Sequence, residues 1–227
     1  MALRALGSTL GDFSKALVSR PALQPTIFVV LALIFIWVIR PTDNDSLKIP
    51  FLTVVVLIPF ISNYLHRDRL RDLGLRLDNL SDSLREVGIA TAIGAVAILA
   101  IGALAGVEPH FGRRAMSSLL LYPGWGLVQQ YAMQSFTYRR VRESTHRPGA
   151  AAVTTAVLFA IVHYPNLALA GTTLVGGYVW CRLFERHPNL LTLALSHGWL
   201  AVLLRASWPA HWLHSLTIGP DYWMWRP

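Results

Sequence analysis

The chain has 227 residues, is 54% hydrophobic and only 14% charged, and carries a net charge of +8. A soluble domain of this length is about a quarter charged, so the composition excludes an ordinary globular enzyme and indicates a polytopic, all-α membrane bundle. Its basic character fits membrane topology better than nucleic-acid binding, and one cysteine, Cys181, excludes both an intrachain disulfide framework and a thiolate metal set.

Residues 1–21 form a basic N-terminal segment. Leu3, Leu6, Leu10, Phe13 and Leu17 recur at helical spacing among Arg4, Lys15 and Arg20. This pattern suits either an amphipathic helix on the inner membrane surface or a loosely ordered terminus. The apolar run that follows ends in Arg40-Pro-Thr-Asp-Asn-Asp, without the small-residue pattern of a cleavable signal.

Seven apolar segments then follow, at 22–39, 49–65, 87–107, 117–138, 150–164, 167–184 and 190–204. The first two make an N-terminal pair over 22–65. The fifth and sixth are joined by Pro165-Asn166 and suit a tight hairpin that does not fully cross. The 66–86 connector alternates Arg and Asp among leucines and suits a turn or helix resting on the membrane. In the third segment Ala90, Gly94, Gly102 and Gly106 recur at four-residue steps, a face for close helix packing.

With the N-terminus inside, 14 of the 20 positive residues fall on inner segments, which predicts a multi-pass bacterial inner-membrane protein with its C-terminus outside. The tail at 205–227 holds Trp208, Trp212, Trp223 and Trp225 and reads as an interfacial belt, where His211 and His214 need no special role.

The functional candidates are polar groups inside these spans. The fourth begins Leu121-Tyr-Pro-Gly-Trp-Gly and reaches Gln129-Gln130, with Gln134 one turn on. Pro123 removes a backbone donor and the glycines weaken the helix, so a break is expected beside the amides. Phe159 and His163 are four apart on one helix face, and Ser196-His197 interrupts an aliphatic span. Each histidine can be read as a packed residue bonded to a carbonyl, and the glutamines as interhelical glue. Together, polar groups in three spans favour a shared cavity. No Asp or Glu lies inside an apolar span, and two histidines lack the third protein ligand of a catalytic zinc, so no metal or other cofactor is expected.

The order of these motifs across residues 70–204 resembles the CPBP family of intramembrane proteases, which includes the CAAX prenyl endopeptidases. That family shows EExxxR, then FxxxH, then a histidine followed four residues later by Asn or a similar polar group. Asp72-Leu73-Gly74-Leu75 matches its lead-in, Phe159 and His163 match the second motif, and His197 matches the start of the third. Gln129 and Gln130 stand where the glutamate pair would be, Gln134 where the arginine would be, and Ala201 where the last Asn would be.

The resemblance implies a helical core at 66–204 and a membrane-embedded endopeptidase acting on membrane-delivered peptides or lipidated proteins. It assigns catalytic positions to His163, His197, Gln129 and Gln130; Phe159 and Gln134, together with Trp125 from the start of the fourth segment, are the candidate binding residues. An amide cannot act as a general base, so a histidine would have to take that role. The alternative is an inactive pseudoprotease that binds a peptide, lipid or membrane protein in the retained cavity. A small transporter is weaker, since the halves of the chain show no inverted repeat. Partners are membrane lipids and such a peptide, not nucleic acid.

Overall fold

All seven apolar segments are helical in the computed structural model, which describes residues 18–226 apart from the Arg114 side chain. The proposed amphipathic helix at 3–17 lies outside the described residues. In chain order the helices are α1 (Leu23–Ile34, widening into a π-helical stretch at Phe35–Ile39), α2 (Asp45–Leu65) and α3 (Leu80–Leu104). Next comes α4 (Arg113–Gln130), which runs through a π-helical stretch at Tyr131–Tyr138 into α5 (Arg139–Thr145). The hairpin α6 (Pro148–Ile161) and α7 (Leu167–Arg186) precedes α8 (Leu190–Ser207), and the tail adds the short α9 (Ala210–Leu213) and α10 (Asp221–Met224).

Among the described residues four helices are long and apolar enough to cross a membrane: α2, α3, α7 and α8. α1 with its π extension and α6 are shorter apolar helices. The hairpin expectation therefore holds for α6 alone, because α7 continues through Gly176 and Gly177 to 20 residues. Over the apolar window of each helix, 56% of α8 is buried against 11% of α3. α8 is accordingly the central post, and α3 turns Ile89, Ile93 and Val96 outward as a lipid-facing helix would.

Small residues set the close contacts. A Cβ on Gly198 would lie 2.6 Å from the Pro123 nitrogen, and one on Gly126 would lie 2.8 Å from the Ala194 carbonyl oxygen, so only glycine lets α4 and α8 meet there. Gly94 and Gly102 likewise face Leu200 and Ser207 of α8. Gly106 does not join that face; its φ of +75° ends the turn after α3, the ordinary use of glycine beyond a helix C-terminus.

Two fully buried asparagines tie the ends. Asn189 accepts from the backbone N–H groups of Leu191 and Thr192 at the start of α8, and its amide donates to the Arg76 carbonyl and Asn79. Asn166 accepts from Leu169 N at the start of α7 and donates to the carbonyls of Leu213 and Thr217. The first pins the 66–79 connector to one end of the bundle, and the second pins the tail to the other.

The tail is thus more than the expected surface belt. Leu213 is buried, Gly219 N donates to the Tyr164 carbonyl, and Arg40 bonds both the Ile218 carbonyl and Asp221 at 2.7 Å. α6 is short, and the tail fills the space beyond its end.

Candidate functional site

α4 does not break at Pro123-Gly-Trp-Gly, contrary to the sequence expectation. The proline leaves the Leu119 carbonyl without its helical N–H, and the indole of Trp199 on α8 donates to that oxygen at 3.1 Å. The neighbouring helix thereby repairs the ladder. The irregular backbone begins eight residues later, at Tyr131, directly after the glutamines. π-helical turns often mark functional positions. Here the wide turn buries Met133 through Tyr138 without interruption.

The two glutamines separate in role. Gln130 is fully buried, and its Nε2 lies 3.3 Å from His197 Nδ1 on α8. Gln134 Nε2 donates to Gln130 Oε1, also at 3.3 Å. With Gln130 donating, His197 carries its proton on Nε2. Gln130 is therefore the interhelical glue anticipated from the sequence, whereas Gln129 lines a cavity.

That cavity, of about 210 Å³, lies between α1, α4 and α6 and includes Trp125, Gln129, Thr155, Phe159 and His163 in its lining. Phe28 and Ile36 of α1 form the opposite wall, and Ile218 of the tail also lines it. His163 Nδ1 donates to the Phe159 carbonyl at 2.7 Å, which leaves the lone pair on Nε2.

Phe159 joins the two halves of the site. Its ring packs edge-on to His163, with centroids 4.8 Å apart, and edge-on to His197 at 6.0 Å. The structure therefore brings together Gln129, Trp125, Phe159 and His163 at the cavity, with the Gln134–Gln130–His197 chain behind Phe159. Two polar atoms nearby, Thr155 Oγ1 and Gln134 Oε1, are buried and lack hydrogen-bond partners among the described residues. Thr155 also borders the cavity, although the residue is fully buried.

Sequence reasoning missed Trp180, which stacks on His197 at 4.7 Å with an interplanar angle of 21°. Its indole donates to Ser196 Oγ, which also bonds Thr91 Oγ1 at 2.7 Å. These contacts fix the His197 ring between the face of Trp180 and the edge-on ring of Phe159. Ser196-His197 was visible as a polar pair, but nothing local marked a tryptophan 17 residues earlier as its partner. Among the described residues, no three His, Cys, Asp or Glu side chains come together in a way suited to holding a metal ion.

A second polar centre closes the end of the bundle where the 66–79 connector lies. Arg140 is fully buried and donates to Ser62, Asn63, Glu143 and Asp68. Arg139 pairs with the same Asp68 at 2.5 Å. Ser62 donates to Gln24, whose amide meets His66, and Asn63 donates to the Tyr131 hydroxyl at 3.0 Å. This network couples α1, α2 and α5 to the start of the π-helical stretch.

Fold and site together define an apolar helical bundle with a neutral polar cluster between its central helices. Residues 114–203 match the family model described as Rce1-like, the Type II CAAX prenyl endopeptidase Rce1-like family, so this part of the chain carries a domain of the CAAX protease superfamily. The match encloses both glutamines, both histidines, Phe159 and Trp180. No curated protein and no solved structure matches the chain.

Proposed function

We propose that the chain is a multi-pass inner-membrane hydrolase built on about seven apolar segments, with a cytoplasmic N-terminus, which cleaves membrane-delivered or lipidated peptides with imidazole in place of a carboxylate base. The observation that carries this reading is His163: its Nδ1–H is committed to the Phe159 carbonyl, while its ring borders the cavity. The free Nε2 lone pair takes a proton from water. The oxygen of that water bonds to the peptide carbonyl carbon, and the Gln129 amide donates to the developing oxyanion. Collapse breaks the C–N bond, and the amine leaves with the proton returned by His163.

A second reading, binding without turnover, is favoured by a different observation. The Gln134–Gln130–His197 bonds join neutral groups to one another, and no carboxylate lines the cavity. The two readings separate with protein reconstituted in liposomes and supplied with lipidated and unmodified membrane peptides. Hydrolysis is expected, falling at least about a hundredfold in His163→Ala with the fold retained. Peptide retention without cleavage supports the binding reading. Full activity in folded His163→Ala and His197→Ala variants ends the catalytic reading.

A further inference from the structure

A second cavity, of about 360 Å³, lies between the start of α4 and the end of α8, one helical turn beyond His197. Its origin is legible in the side chains. Ala115, Ser118 and Tyr122 share one face of α4, and Ala201, Ala206 and Arg205 stand opposite on α8. Where Gly126 and Gly198 bring the helices together, no space remains. Nearer the end, small residues on both sides leave a hollow with Tyr122 within it.

The loop before α4 forms another wall. His110 N donates to the Ala206 carbonyl at 3.0 Å, which docks this loop on the end of α8. The cavity lining holds two guanidinium groups, Arg113 and Arg205, together with His110 and Tyr122, and contains no carboxylate. Among the described residues neither arginine makes an ion pair, in contrast to Arg40, Arg76, Arg139, Arg140, Arg142 and Arg186, which all do.

Arg113 and Arg205 stand exposed at the mouth of the hollow, where two like charges repel each other and draw in an anion from the surroundings. The same hollow also presents Ala115, Ala201, Val202 and Leu216. Trp208 follows α8 immediately and donates to the Ile98 carbonyl, so this end of the bundle has an indole where headgroups meet acyl chains.

We infer that this cavity binds the phosphate of an anionic phospholipid: Arg113 and Arg205 grip the phosphate oxygens, His110 and Tyr122 bond its ester or glycerol oxygens, and Leu216 and the alanines contact the first carbons of the acyl chains. Guanidinium groups suit this because they bind phosphate through paired N–H donors. The bound lipid bridges α4 and α8 at the end where their side chains do not fill the space. It also sits over the helix that carries His197.

The experiment uses full-length protein, delipidated in detergent, with thermal unfolding followed as phosphatidylglycerol, phosphatidylcholine or inorganic phosphate is added. Phosphatidylglycerol is expected to raise the Tm at concentrations about tenfold or more below those needed with phosphatidylcholine, and the Arg113→Gln/Arg205→Gln variant to lose that difference. Arg226→Gln, altered in the tail, should keep it. Ala201→Leu, which fills the hollow and leaves both charges, should lose it too and serves if the double variant does not fold.

Stabilisation by inorganic phosphate equal to that by phosphatidylglycerol, and lost with the same substitutions, would identify a soluble phosphate as the source and overturn the lipid assignment. Equal effects of the two lipids, or a full phosphatidylglycerol preference in the double variant or in Ala201→Leu, would also overturn it.

Discussion

The Arg140 network and the Gln130 cluster are both buried polar centres, yet they are built from opposite materials. Around Arg140, formal charges are matched: a fully buried guanidinium meets Asp68 and Glu143, with Ser62 and Asn63 completing its bonds. Around Gln130 the groups are neutral, the bonds are longer at 3.3 Å, and the amide oxygen of Gln134 has no hydrogen-bond partner among the described residues. Charge is confined to the end of the bundle, where connector and helix ends can supply counter-charges. Deeper between the helices, polarity is kept without charge. The first centre is suited to holding structure, and the second to remaining adaptable beside a cavity.

The largest effect should come from Arg140→Met. It leaves Asp68 buried with half its partners, and the cost should be about 3–5 kcal/mol, seen as a large drop in thermal unfolding temperature. Adding Asp68→Leu should recover part of that loss, because the half-partnered buried carboxylate carries much of the cost, while Arg139 then loses its own partner. At the neutral centre, Gln130→Glu should destabilise by about 2–3 kcal/mol at neutral pH, since no cation is bonded to that position among the described residues. A Glu variant as stable as the parent would show that the site tolerates charge and would erase the contrast. Gln130→Leu should cost less, about 1 kcal/mol, the loss of ordinary neutral hydrogen bonds.

The smallest effect concerns His66, which edges the charged centre between Gln24 and Glu143. Burial first, and the Arg140 guanidinium second, hold its pKa below the usual 6.5, against the opposing pull of Glu143. The folded protein therefore favours neutral His66. Its contribution is full above pH 6.5 and is lost as the pH falls from there through the folded-state pKa. Unfolding temperature measured from about pH 7.5 down to pH 5 should fall less steeply in His66→Gln than in the parent.

Periodicity revealed all seven helices, because each apolar run is long enough to show its character locally. The motif pairing of Phe159 with His163 was equally local, a matter of four-residue spacing. What escaped depended on distant residues meeting. Gln24, Ser62 and Asn63 are single polar groups in apolar runs, and only the fold shows that they converge on Arg140. Trp180 looked like one of eight tryptophans until α7 and α8 crossed at His197. The supposed break at Pro123 was read correctly as a lost hydrogen bond, but the donor that replaces it lies 76 residues later in the sequence.

That replacement bond bears on how the protein is made. α4 carries an acceptor at Leu119 that its own backbone cannot satisfy, and Trp199 supplies the donor from the last long helix. The donor comes from a helix much later in the chain, so the α4 ladder is complete only once α8 has packed against it. A sliding of α8 by one turn would leave the carbonyl without it. The register that closes the ladder is the same one that seats Gly198 against Pro123 and sets His197 beside Gln130.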